Sequence, residues 1–245
     1  MHPPYAAIEG GDSKCGHQSY NSFMISIWMN RRLAVVLAVI TLAAGCQQAW
    51  IFSANFDADP VGAPPPASPP GDPPGDAIAY TGAVSVINSP AAGSNAALVD
   101  RGSTPTATTI DMIASGGPHT CGTYRVSWRA HTEAYLAPLT ISLLSSSGKI
   151  AFQATFQHAQ YRFTTGSGSE TVGPLLALNA PHTFTITVDM ATKTMIINLN
   201  GVAMPLRPFV NTDFEDLKRL RFEYAAAVLE ANAGKYVIDV ATMRK

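Results

Sequence analysis

The 245-residue chain is 47% hydrophobic and 13% charged, with a formal net charge of −1. Its Lys and Arg residues are thinly spread along the chain apart from Lys218, Arg219 and Arg221, so nothing in the sequence suggests nucleic acid and no such partner is expected. The length suits one domain with a sizeable core better than two.

Residues 1–28 are polar and patternless, and they precede a segment that reads as the start of an exported chain. Met29 is followed by Arg31 and Arg32, an apolar run from Leu33 to Ala44, then Gly45 and Cys46. The run is of secretory length and well short of the ~20 residues of a membrane-spanning helix. Leu42-Ala43-Ala44-Gly45-Cys46 resembles the lipobox of bacterial lipoproteins, with Ala43 where the family usually has leucine. The resemblance implies translation from Met29, a signal peptide over residues 29–45, and a diacylglycerol on the Cys46 thiol. Residues 1–28 then read as a misplaced start or, as the alternative, a disordered extension of the signal's charged region. Residues 46–49 become a lipidated tether that reaches on the order of 10 to 15 Å, which holds the domain close to the membrane. Gln47, where an aspartate would retain the protein, points by resemblance to sorting in two-membrane bacteria to the outer membrane. Cys15 falls in the untranslated stretch, which leaves Cys121 unpartnered and expected to be a small buried hydrophobe.

Residues 50–245 are read as one β-sandwich domain. Trp50 to Phe56 alternates as a strand, and Asp57 to Asp76, with eight prolines, follows as a surface loop, since proline cannot donate to a ladder. Ten further strands are expected: Ile78 to Ile87, Thr108 to Ile113, Thr123 to His131, Leu139 to Leu144, Ile150 to His158, Tyr161 to Thr165, His182 to Asp189, Lys193 to Leu199, Leu217 to Tyr224 and Tyr236 to Met243. Ser146-Ser147-Gly148 and Met190-Ala191-Thr192 read as hairpin links, and Asn200-Gly201 as a type I′ turn. Tyr124, Val126, Trp128 and Ala130 alternate with Arg125, Ser127, Arg129 and His131, the pattern of a half-buried antiparallel sheet. So many short strands predict an all-β fold of two antiparallel sheets packed face to face, with a closed barrel as the alternative.

Asn55-Phe56-Asp57 running into Gly75-Asp76, then His182 to Asp189 followed by Asn200-Gly201, and finally Tyr236-Val237-Ile238-Asp239, resemble the laminin G and concanavalin A-like jelly roll. That resemblance implies a sandwich whose first strand pairs with its last. The glycosidases of this neighbourhood carry an E-x-D-x-E run on one strand, and none is present. Phe156-Gln157-His158-Ala159-Gln160-Tyr161 echoes the lyase set in the wrong order. His119, His131, His158 and His182 have no metal-ligand spacing, so no metal site is expected. Asp213, Glu215 and Asp216 form an acidic turn whose oxygens suit calcium or solvent.

What remains is a polar face. With the strands from Thr123 to Thr165 taken as neighbours in one sheet, Arg125, Arg129, His131, Gln153, Gln157 and Arg162 share an outward row suited to sugar hydroxyls or carboxylates. The first reading is an envelope-anchored module that binds a glycan or cell-wall polymer. A structural lipoprotein that packs against an envelope protein is the alternative, and a glycan-active enzyme without a recognisable motif is the third.

Overall fold

The computed structural model describes residues 49–68, 76–102, 106–172, 175–226 and 234–245. Residues 1–28, the lipobox and Cys46 lie outside these, as do residues 69–75 of the proline-rich stretch. The first eight strands are β1 (Trp50–Asn55), β2 (Ala77–Thr81), β3 (Ala83–Ser89), β4 (Ser94–Asp100), β5 (Thr108–Ile113), β6 (Thr123–Tyr135), β7 (Leu139–Leu144) and β8 (Ile150–Gln157). They are followed by β9 (Gln160–Thr165), β10 (Gly168–Val172), β11 (His182–Asp189), β12 (Thr194–Leu199), β13 (Val202–Ala203), β14 (Arg207–Pro208), β15 (Arg219–Tyr224) and β16 (Gly234–Arg244). No helix among the described residues is long and apolar enough to cross a membrane.

All pairings are antiparallel and build two sheets. The first runs β13-β12-β11-β6-β16-β4-β3, with β1 also on β16 and β14 on β12; the second runs β10-β9-β8-β7-β15-β5-β2. The first strand therefore pairs with the last, Trp50 opposite Arg244 and Asn55 opposite Val240. The link between β11 and β12 is the expected hairpin. Asn200 and Gly201 take φ of 52° and 86°, the two left-handed residues a type I′ turn requires.

The run expected as one strand from Ile78 to Ile87 is two. Gly82, at φ 74°, turns the chain so that β2 joins the second sheet and β3 the first. The described part of the proline-rich stretch lies against β3, where Gly62 N–H donates to the Val86 carbonyl and Val86 N–H to that of Ala63. It thereby covers an edge strand that would otherwise expose unpaired backbone.

Inward rows of both sheets meet in a core of large aromatic side chains. Trp128 stacks on Phe184 with ring centroids 4.5 Å apart and meets Phe222 edge-on at 5.6 Å. Phe152, Phe156, Tyr161 and Phe163 face them from the second sheet. Truncation of one such ring costs roughly 3 to 5 kcal/mol, because the cavity left behind does not collapse. Residues Gln48–Lys245 form a compact unit around this core.

Four polar groups are sealed inside it. Trp128 Nε1–H donates to the Tyr236 hydroxyl at 3.2 Å, Tyr236 and Tyr161 hydroxyls are 2.8 Å apart, and Tyr161 lies 2.6 Å from His182 Nε2. Each donor serves one acceptor if His182 accepts at Nε2, which places its proton on Nδ1. That nitrogen has no hydrogen bond of ordinary geometry, although the Ala180 carbonyl favours its protonated form. Burial keeps both tyrosines protonated and pushes His182 down to about 4.

Candidate functional site

Alternation sends every second residue outward, and the register shows which outward residues meet. Across the second sheet Thr171, Arg162, Thr155, Thr140, Glu223 and Thr109 stand in one cross-strand row. Ser169, Thr164, Gln153, Ser142, Arg221 and Asp111 stand in the next. Both rows are made of hydroxyls, amides and charges.

The arginines on this face are not equivalent. Asp111 accepts from Arg221 Nε and Nη2 at 2.7 and 2.8 Å and from Arg219 Nη1 at 3.4 Å, and it holds the Arg221 guanidinium more firmly protonated than usual. Arg162, exposed, has no ion-pair partner among the described residues. It lines an open groove of about 280 Å³ together with Thr155, Gln157, His158, Gln160 and Thr171.

The groove is lined in part by a turn with unusual residues for its shape. His158 and Ala159 adopt φ of 49° and 64°, a region that costs a residue with a Cβ on the order of 1 kcal/mol or more. Neighbouring loops hold the turn there. His158 N–H donates to the Tyr135 carbonyl at 3.1 Å, Leu176 N–H to that of Ala159 at 2.8 Å, and Gln157 Nε2 to that of Leu136 at 3.3 Å.

The six residues expected on one face are divided. β6 belongs to the first sheet, while β8 and β9 belong to the second. Gln153, Gln157 and Arg162 thus share one outer surface, and Arg125 and Arg129 lie on the opposite one. The short link Leu136 to Pro138 carries the chain from one sheet to the other. Arg129 is committed to Asp239, with Nη1 3.1 Å from Oδ2.

His131 is not exposed. Its ring is covered where the β3–β4 turn folds over it, with Ser89 Oγ 3.2 Å from Nε2, and burial pushes its pKa down in spite of the negative charges of Glu133 and Asp239. Ser89, Pro90, Ala91, Glu133 and Asn179 share with it a second cavity of about 330 Å³. A serine beside a neutral histidine is a nucleophile–base pair, which needs a third group to orient the base. That orienting group is missing among the described residues: the nearby Asp239 carboxylate serves Ser94 and Arg129, and no carboxylate bonds the second ring nitrogen.

The acidic turn is also occupied. Lys149 Nζ lies 3.0 Å from Asp213 and 3.5 Å from Glu215, the serines of the β7–β8 hairpin donate to Glu215 and Asp216, and no cluster of metal-ligating groups occurs among the described residues. Cys121, expected to be buried, is half-buried and free, and its carbonyl accepts from the Tyr124 hydroxyl at 2.9 Å.

No family model matches the chain, and no curated protein matches it in sequence. Among solved structures it is similar to a sialidase, with TM-score 0.54, 10% identity, and 69% of this chain over 16% of that one. It is also similar to a carbohydrate esterase from the Shiga toxin-encoding bacteriophage phi24B (0.52, 10%, 80% of this chain over 98%) and to lectin UEA-II complexed with galactose (0.51, 12%, 80% over 99%). The chain spans a small part of the sialidase and nearly all of the other two. At these identities the likeness establishes one thing, the fold: a two-sheet jelly-roll sandwich of the kind found in lectins.

Proposed function

We propose that the protein is an envelope-anchored binding module that recognises a glycan or cell-wall polymer through the groove around Arg162, on the outer face of the second sheet. The observation that carries this reading is an exposed arginine with no carboxylate of its own, set among two threonines and two glutamines. A planar guanidinium donates a fork of hydrogen bonds to a carboxylate or a pair of hydroxyls, and each amide supplies both a donor and an acceptor. That set suits an acidic sugar better than a neutral one. The carbohydrate named for the lectin and for the phage esterase supports the reading by analogy of fold. Lipid on Cys46 holds the module at the envelope, most simply at the outer membrane.

A glycan array of acidic and neutral polysaccharides, probed with the domain from Gln48 onward, tests it. Binding to acidic polymers is expected, with Arg162→Ala weakening it about tenfold or more, the worth of a hydrogen bond to a charged group. A blank array, or binding that ignores the substitution, refutes it. One observation favours a second reading, a protein partner in the envelope: Leu136, Leu175 and Leu178 are exposed on the loops that flank the His158 turn. A single protein adduct on crosslinking in intact cells would support that partner.

A further inference from the structure

We infer that the outer face of the first sheet is a membrane-docking surface for anionic lipid headgroups, an inference that takes from the proposed function only the lipid on Cys46. Pairing registers place Trp50, Arg244, Arg125, Thr187 and Ile196 in one outward row across β1, β16, β6, β11 and β12. Its two ends are large apolar side chains left in water, Trp50 at 48% exposure and Ile196 at 40%. At its centre two arginines stand directly opposite each other.

Like charges in that position destabilise a sheet. Neither Arg125 nor Arg244 has an ion-pair partner among the described residues. Arg244 lies 5.5 Å from the centre of the Trp50 ring, and Lys245 lies 5.9 Å from that of Tyr124. Two carboxylates on the same face make no ion pair with either arginine: Asp189 accepts the N–H groups of Ala191 and Thr192, and Asp239 holds Arg129. Positive charge thus stands beside an exposed indole with no carboxylate in ion-pair contact among the described residues.

Phosphate headgroups supply that anion, and the indole is the side chain that partitions best to the level of the headgroups. Placement favours the same occupant. Trp50 is four residues from Cys46 in the chain, so acyl chains on that cysteine bring the row to the bilayer surface before any soluble anion can compete for it. The two sheets present their outer faces in opposite directions, and a domain lying on this row turns the Arg162 groove away from the membrane.

The test uses the domain from Gln48 onward, a compact unit with its own core and no acyl chain. It is mixed with phosphatidylcholine vesicles made with or without phosphatidylglycerol. Trp50 is exposed and Trp128 buried, so a blue shift on binding reports Trp50. Sedimentation with the anionic vesicles alone is expected, weakened by salt. Arg125→Ser and Arg244→Ser should each weaken it about fivefold and together about thirtyfold, from the worth of one basic residue at an anionic surface. Trp50→Phe should abolish the shift, Arg162→Ala should change nothing, and the double arginine variant should melt no lower than the parent. Equal binding to neutral vesicles, no binding to either, or indifference to the arginine substitutions overturns the inference. Glycan binding by the double variant is measured in parallel, so that loss of one surface is told apart from loss of the other.

Discussion

Acid should loosen this sandwich from the inside, through His182. The ring is buried among Tyr161, Tyr236 and Phe156, and that burial lowers its pKa from the usual 6.5 to about 4. Above pH 6.5 the histidine is neutral in both folded and unfolded chains. Between 6.5 and 4 the unfolded chain takes up a proton that the folded core refuses, so stability falls as pH falls; below about 4 both states are protonated and the loss stops. The full difference is about 3 kcal/mol at 1.36 kcal/mol per unit, and most of it is reached near pH 4.5. His182→Gln keeps a polar group near the Tyr161 hydroxyl and cannot titrate. Urea unfolding of both proteins near pH 7 and near pH 4.5 isolates the effect, since the other shifted groups are common to both and cancel. Those groups are His131, lowered by burial; Asp59 and Asp76, raised by burial; and Glu170, Asp189 and Glu215, lowered by their hydrogen bonds. Parent and variant losing the same stability on acidification would refute the reasoning, because a ring that is protonated in the native core is not sealed as described.

Two further outcomes are expected besides those already stated for Arg162 and for the Trp50 row. Gly82→Ala should cost roughly 2 to 4 kcal/mol by urea unfolding, because the new Cβ at φ 74° would sit 2.6 Å from Thr108 Oγ1 and 2.8 Å from the Ala107 carbonyl. An unchanged midpoint would show that the corner between β2 and β3 relaxes freely. Expressed in a bacterium, Cys46→Ser should abolish labelling by palmitate and leave an unprocessed precursor, whereas the parent should stay with membranes through a high-salt wash.

Strand boundaries were most legible where apolar and polar residues alternate. β5, β7 and β11 begin and end where alternation predicts, as Thr108–Ile113, Leu139–Leu144 and His182–Asp189. β4 carried no such signal. Its inward Ala97 and Val99 pack in the core, while its outward Ala96 and Leu98 pack with Val237 under Ile87 and Ala92, so Ser94–Asp100 is buried on both sides and does not alternate. Parity failed at one candidate site residue for a related reason. His131 keeps its place in the sequence alternation, yet a turn folding over it from β3 buries what the pattern would leave in water. Sheet membership was the harder loss. Alternation shows which residues share a face of a strand, but a three-residue link can close a hairpin or arch between sheets, and nothing in Leu136-Ala137-Pro138 marks the arch except a proline that cannot donate to a ladder.

That arch divides the candidate cations between two faces, and pairing then separates working arginines from structural ones. The chain has 17 acidic to 16 basic residues, so carboxylates are numerous enough to neutralise nearly every cation. Most arginines on described strands take one: Arg129 with Asp239, Arg207 with Glu170, Arg219 and Arg221 with Asp111. The unpaired three are set in particular surroundings. Arg162 is ringed by hydroxyls and amides in a groove, which is the chemistry of a polyhydroxylated ligand, whereas Arg125 and Arg244 stand against each other between an indole and an isoleucine, which is the chemistry of an interface between water and lipid. An arginine pair held together without a counter-ion persists at a cost to the fold. An external anion on the face nearest the chain's entry at Trp50 offsets that cost in place, and it leaves the opposite sheet, with its groove, free to meet a polymer from the other side.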